Sequence, residues 1–238
     1  IDATAAYSDS VDEAKSWLDA SDSALSSLND VVQRVRELTV QAANGATSDA
    51  GRQSIKAEVD QLTKQAMTTL NQAYDGRYLF SGTKTDTPPY DVNSGAYQGD
   101  NNPVLRTIGP GVTVQVNATA AGSTDVLATL LPTLSKLSQD LQNNDVNALG
   151  TSDLKALDAG LGTVTAARSQ IGAITNRVTA AKQRLNDLSD VTSKLLSDTQ
   201  DADLPKSLTD LAMQQNALQS ALQAGSTLIQ QSLMDFLQ

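Results

Sequence analysis

From Asp2 to about Ala43 the chain runs without Pro or Gly. Small or apolar side chains recur along it at Ala14, Trp17, Ser21, Ala24, Leu28, Val31, Val35, Leu38 and Ala42. The steps alternate between three and four, the seam of a long coiled-coil-like helix. Leu18, Leu25 and Val32 widen that seam into a stripe. Asn44-Gly45 predicts its end, since Gly takes a left-handed C-cap conformation readily. Ser48-Asp49 offers an N-cap and a favourable charge for a second helix, from about Asp49 to Ala73. Its apolar face carries Ile55, Val59, Leu62, Ala66 and Leu70. So short a connection predicts an antiparallel hairpin of helices.

Between Asp75 and Ala121 the texture changes to Pro, Gly, Asn and aromatic residues. Tyr78-Leu79-Phe80 reads as a short strand. Val104–Ile108 and Val112–Val116, joined by Gly109-Pro110-Gly111, read as a β-hairpin whose second arm alternates and so buries one face. From about Thr124 helical texture returns, with Pro132 expected near the start of a helix ending near Leu141. From Ser152 to about Asp198 a heptad runs through Leu157, Val164, Ile171, Val178 and Leu185, with Ala167, Ile174, Ala181, Leu188 and Leu195 at companion positions. A helix of that length spans roughly 70 Å. Asp201-Ala202-Asp203-Leu204-Pro205 marks a break before a last helix. The expected fold is mainly α with a small β insertion. An elongated antiparallel helical bundle, residues 1–74 and 122–238, carries a hairpin-rich β knob, residues 75–121.

The last helix has no evident partner, because the two N-terminal helices are needed to cover the long one. Leu218, Leu222, Ile229, Leu233 and Phe236 then form an apolar stripe rimmed by Gln and Ser, the mark of an interaction surface. The competing expectation is that this helix folds back on the bundle.

Composition narrows the chemistry. Lacking Cys and His, the chain can hold no disulfide, thiolate site, His-based triad or common zinc centre. Its net charge of −10 speaks against nucleic acid and anionic lipid. No apolar run approaches the ~20 residues a membrane helix needs, so no membrane insertion is expected. No cofactor and no enzymatic activity are expected either. Asp91-Val92-Asn93-Ser94-Gly95 starts like a calcium loop, but its twelfth position is Asn102 rather than a chelating Glu. Ser152-x-x-Lys155 has an acyl-enzyme spacing without the motifs that accompany it. Asp198, Asp201 and Asp203 read as a solvated helix break rather than a carboxylate pair. Five of the eight aromatic residues fall between Tyr74 and Tyr97. Tyr74, Tyr78 and Phe80 sit where helix turns into sheet, so large rings are expected to anchor the knob to a rod of small side chains.

Gln33 to Leu62, "QRVRELTVQAANGATSDAGRQSIKAEVDQL", resembles the N-terminal core segment of bacterial flagellins and their relatives. Asn71 to Tyr90, "NQAYDGRYLFSGTKTDTPPY", then resembles the hook–filament junction branch of that family, as do "YQGD" at Tyr97 to Asp100 and the ending "SLMDFL". The resemblance implies a flagellin-like rod domain and an extracellular structural subunit of the flagellum, exported unfolded through a type III apparatus without a cleaved signal peptide. It implies a ring of copies between a first junction protein and flagellin, with an export chaperone as a further partner. Family members carry some tens of residues ahead of this chain's Ile1, including a helix that pairs with the C-terminal one. On the first helix, Arg34 and Leu38 fall where flagellins meet neighbouring subunits and, in many, the innate receptor Toll-like receptor 5. Two other functions stay open beside the junction role: a filament-forming flagellin, against which the Asp75–Gly82 phrase and the ending speak, and a secreted adhesin using the knob.

Overall fold

The computed structural model describes residues 2–92, 94–100, 102–117, 123–200 and 204–236. The chain divides into two compact units, Ile1–Ser189 and Asp190–Gln238.

The first unit is built on α1, Asp2–Ala43. Every position of the predicted seam from Ala14 to Ala42 is buried, and so are Leu18, Leu25 and Val32. Two hydroxyls lie in this dry seam. The Ser21 hydroxyl donates to the Trp17 carbonyl and that of Thr39 to the Val35 carbonyl, each at 2.8 Å, so neither is left unpaired. The helix ends as expected at Ala43, but Gly45 is not in the left-handed region. The loop is closed instead by side chains. Asn44 Oδ1 accepts from the Ala46 amide at 3.0 Å, and the Thr47 hydroxyl donates to the Gln41 carbonyl at 2.7 Å. With those bonds available, the chain turns without the conformation that only Gly takes cheaply.

Helix α2, Asp49–Leu70, begins at Ser48, whose Oγ accepts from the Gly51 amide at 3.2 Å. Ser48→Ala is expected to cost about 1 kcal/mol of stability, read as a lower midpoint in urea denaturation with an unchanged slope. Ile55, Val59, Ala66 and Leu70 are buried. Arg52, also buried, ties the start of α2 to the later loop at Asn144. It donates to the Thr47 carbonyl at 2.7 Å, to Asp49 at 2.7 Å and to Asn144 at 3.0 Å.

Helix α3, Ser123–Gln142, runs antiparallel to α2. Ser138 donates to Asp60 at 2.5 Å at one level, and Gln53 to the Leu141 carbonyl at 3.5 Å nearer the loop. Pro132 lies inside this helix and not near its start. It sits on the exposed face, where solvent replaces the backbone bond that a proline cannot make. Leu130, Leu131, Leu134, Leu137 and Leu141 around it are buried, and that packing holds the helix through the break.

A short helix α4, Val146–Ala148, and a π-helical turn, Leu149–Asp153, lead into α5, Leu154–Gln200. Leu157, Val164, Ala167, Ile171, Val178, Ala181 and Leu185 of the predicted heptad are buried. Three ion pairs set α5 antiparallel to α1: Arg36 with Asp158 at 2.5 Å, Arg168 with Asp22 at 2.9 Å, and Lys182 with Asp12 at 2.5 Å. Their members are half exposed, so each contributes little stability and mainly fixes the register.

The β-rich stretch falls within this first unit. Strands β1, Ala73–Tyr74, and β2, Arg77–Tyr78, form a two-residue hairpin. Its turn residues Asp75 and Gly76 both have positive φ, 49° and 72°, as a type I′ turn requires. Strand β2 stops at Tyr78, and Leu79 and Phe80 are turn residues, not the strand read from sequence. Their burial explains the misreading: both side chains point into the core, which gave an apolar run without a ladder. The second hairpin is β3, Leu105–Gly109, against β4, Val112–Gln115, with a bulge between Thr107 and Gly109. Val114 and Val116 are buried, and the tip residue Val112 is exposed.

The second unit holds the end of α5 and α6, Leu204–Phe236. Residues 201–203 of the predicted break lie outside the described residues. No described helix is long and apolar enough to cross a membrane.

Candidate assembly surfaces

Three surfaces were singled out from the sequence: the terminal stripe, the first helix around Arg34, and the aromatic anchor of the knob. Helical spacing puts Leu218 and Leu222 one turn apart on α6, and they are 62% and 65% exposed. Leu208, Leu211 and Met213 of the same helix are exposed as well. Leu188 and Leu195, heptad companions on α5, are likewise open to solvent. The side chains of Ile229, Leu233 and Phe236 lie outside the described residues.

On α1, Arg34 is half exposed and held on two sides. It donates to Glu58 of α2 at 2.7 Å and to Glu37 at 3.2 Å, and the Glu58 hydrogen bond foremost raises the guanidinium's pKa. Any partner meeting Arg34 therefore meets a neutralised arginine. Leu38 is 3% exposed, part of the packed core. It offers no contact surface while the bundle is closed, so of the two residues only Arg34 is available on the outside.

The knob anchor is larger than the three rings expected. Phe80 is buried, and Tyr74 and Tyr78 are half-buried. Tyr74 meets Trp17 of α1 edge to face, centroids 6.4 Å apart at 82°, a geometry that aligns ring edge with ring face. Asn71, just past α2, grips Tyr90 with both ends of its amide. Its Nδ2 donates to the Tyr90 carbonyl and its Oδ1 accepts from the Tyr90 amide, both at 2.9 Å. Tyr90 is 1% exposed and packs on Tyr97 at 5.4 Å between centroids. The Tyr97 hydroxyl hydrogen is shared between the carbonyls of Phe80, at 3.0 Å, and Asp100, at 3.1 Å. Burial, and secondly the nearby Asp100, pushes the Tyr97 phenol up to about 12. Burial likewise raises the Tyr90 phenol, with Tyr97 adding to it.

Asp100 closes the assembly. It accepts from the Thr83 hydroxyl at 2.7 Å, the Thr83 amide at 2.8 Å and the Asn102 amide at 3.1 Å. The Thr83 hydroxyl, more than the amides, holds its carboxyl below the usual carboxylate range. A carboxylate whose folded pKa is depressed adds stability above its unfolded value, which is lost as pH falls through the folded one. The Thr83 amide is therefore expected to stay protected from exchange through the ordinary aspartate range near pH 4 and to lose protection below it. Thr83→Ala should move that loss to higher pH.

Sequence reading did not single out Trp17, Asn71, Tyr90, Tyr97 or Asp100 as anchors, because their contacts join residues far apart in the chain. The aromatic clustering was the available signal, and it pointed to the segment without giving the pairs. The loop that starts like a calcium site is closed on itself. Asp91 Oδ1 accepts from the Ser94 amide at 2.7 Å and hydroxyl at 2.8 Å, so that oxygen is satisfied within the loop. Among the described residues no group of three or more metal-ligating side chains comes together.

Two models of one family match this chain: the bacterial flagellin N-terminal helical region over residues 1–85 and the C-terminal helical region over residues 154–237. The flagellar hook-associated protein 3 of Escherichia coli is 24% identical over 228 residues, 85% of this chain and 72% of that protein. A flagellin of Bacillus subtilis is 28% identical over 225 residues, 88% of this chain and 71% of that protein. In three dimensions the chain is similar to hook-associated protein 3 of Legionella pneumophila, with a TM-score of 0.73 at 17% identity, covering 85% of this chain and 98% of that one. The two helical regions lie at opposite ends of the chain and together span well over half of it. With them the fold and its relatives agree: this chain belongs to the bacterial flagellin family, a structural protein of the flagellum and not an enzyme.

Proposed function

We propose that this protein is a subunit of the ring that joins the flagellar hook to the filament, outside the cell. One side of that ring meets the first junction protein and the other meets flagellin, with copies of the chain side by side. The observation that carries this is the welded knob. The segment from Asn71 to Asp100, through which the sequence resembles the junction branch, is bound into one piece by Asn71 on Tyr90, Tyr97 on Phe80, and Asp100 on Thr83. A small, rigid β domain, residues 75–121, inserted into a discontinuous helical domain, residues 1–74 and 122–238, suits a joint that is one layer thick. It presents a fixed shape to each neighbour and does not move to bind. The named relatives in Escherichia coli and Legionella pneumophila support the same assignment.

In this proposal the exposed leucines of α6 are the assembly segment, and before assembly they need a chaperone's cover during export. Arg34 stands at the edge of a subunit contact and serves register more than affinity, because its charge is already met by Glu58. The test is co-sedimentation of the protein with hooks that carry the first junction protein. Saturable binding to those hooks, and none to bare hooks, is the expected result. Equal binding to both would remove the junction assignment.

A further inference from the structure

The turn between α4 and α5 holds an acidic side chain in the core. Asp153 ends the π-helical stretch Leu149–Asp153 and is 3% exposed. Leu149, at the other end of the stretch, is buried, and Gly150 packs on Ala43 at the end of α1. Asp153 Oδ1 accepts from Lys136 of α3 at 3.1 Å and from the Ser152 hydroxyl at 3.3 Å. Oδ2, also buried, has no hydrogen-bond partner among the described residues. An ionised carboxylate accepts at both oxygens, and leaving one of them dry is costly. A carboxylic acid differs, because the bare oxygen carries a hydrogen that it can donate.

An acceptor for that hydrogen is at hand. Lys136 pairs with Asp140, one turn further along α3, as well as with Asp153. One ammonium therefore faces two carboxyl groups, and Asp140 lies within hydrogen-bonding reach of Asp153. Two carboxyl groups sharing a site do not both ionise readily, and one keeps a proton. Burial foremost, then the charge and hydrogen bond of Asp140, raise the Asp153 carboxyl above the usual carboxylate range against the opposing pull of Lys136. The other charged residues on the surrounding elements are engaged elsewhere or face water. Arg36 is paired with Asp158, Glu37 with Arg34, Arg52 with Asp49 and Lys56 with Asp60. Asp145 caps α4 through the Ala148 amide, and Lys155 is exposed at the start of α5.

We infer that Asp153 Oδ2 carries a proton and donates it to Asp140, and that this shared proton latches the π-helical turn to α3. Removing it sets two carboxylates against one ammonium and leaves a buried carboxylate oxygen unsatisfied. The Asp153 side chain then moves toward water, and the turn that carries it loosens, with the seat of Leu149 and Gly150 on α1. The sign follows from proton binding. A carboxyl whose folded pKa is raised holds its proton more tightly in the folded chain than in the unfolded one. Stability therefore falls as pH rises from the ordinary aspartate value near 4, and the fall ends above the raised folded value. The latch is closed in mild acid and released as pH climbs. It belongs to the first unit itself and stands or falls independently of the junction assignment.

The test follows hydrogen exchange of the Leu149–Asp153 amides in the whole chain, from about pH 5 to about pH 9, corrected for the intrinsic rate at each pH. Asp153→Asn and Asp140→Asn are measured beside the wild type. In Asp153→Asn the side-chain amide donates to Asp140 at every pH, and in Asp140→Asn the second negative charge is gone. Wild-type protection is expected to fall about tenfold or more across the range, and that of both variants to stay within about twofold. The Asp153 Cγ resonance in carbon NMR should titrate above the ordinary aspartate value in the wild type and drop back in Asp140→Asn. An Asp153 that is ionised throughout the range in the wild type would overturn the inference. So would a pH-dependent loss of protection that persists in both variants. If circular dichroism shows that Asp153→Asn does not fold, the exchange profile of Asp140→Asn and the Cγ titration decide the matter.

Discussion

Gly82→Ala is expected to cost about 3 kcal/mol or more and to unlock the knob. Gly82 has φ +68°, a conformation that costs an L-residue roughly 1–2 kcal/mol. A Cβ at this position would lie 2.1 Å from the Asp100 carbonyl oxygen and 2.2 Å from its Oδ1. Both are held: the carbonyl accepts from Tyr97, and the carboxylate from Thr83. Relieving the clash therefore breaks bonds that weld the two limbs of the knob together. Gly76→Ala is the matched comparison, with φ +72° and no atom within 4 Å of a new Cβ. It carries the backbone cost alone, about 1 kcal/mol. Urea denaturation followed by tyrosine and tryptophan emission checks both. Equal losses would mean that the Gly82–Asp100 approach is not closely packed.

Leu218→Glu/Leu222→Glu is expected to lower incorporation at hook tips about a hundredfold or more while leaving helicity within a few percent of the wild type. Covering two leucines contributes about 1.5–3 kcal/mol each, which corresponds to that factor and above. In the free chain these side chains are more than half exposed, so their replacement removes little from folding. Circular dichroism and hook-tip binding on the same preparation separate the two effects. A marked fall in helicity would place this stripe in the core of the monomer and remove it from assembly.

What could be read from the sequence divides by the range of the interaction. The α1 seam and the heptad of α5 were legible because helical packing writes itself as a period of three and four residues. The start of α2 was legible because an N-cap is local, Ser48 to Gly51. Pro132 was misplaced because proline's local cost is small beside five buried leucines around it. The α1 terminus was right in position and wrong in cause, since Asn44 and Thr47 side chains replaced the glycine conformation. The exposure of Leu188 and Leu195 was not legible at all, because a heptad shows that a face is apolar and not what covers it. The knob was legible as an aromatic cluster. Its pairs, Trp17 with Tyr74 and Asn71 with Tyr90, connect separate segments and leave no local trace. Of the candidate assembly residues, the exposure of Leu218 and Leu222 could be anticipated from spacing and an absent partner. The burial of Leu38 was legible too, since its spacing places it in the α1 seam; the family resemblance alone offers it as an outside contact.

The central claim is that this chain ends a hook and does not grow a filament. The most direct measurement presents the protein, with flagellin as a positive control, both to short filament seeds and to hooks bearing the first junction protein, and images the products by negative-stain electron microscopy. The proposed function predicts a single added layer at hook tips, onto which flagellin then polymerises, and no elongation of seeds by this protein alone. Long filaments made of this protein would contradict it and make the chain a filament subunit.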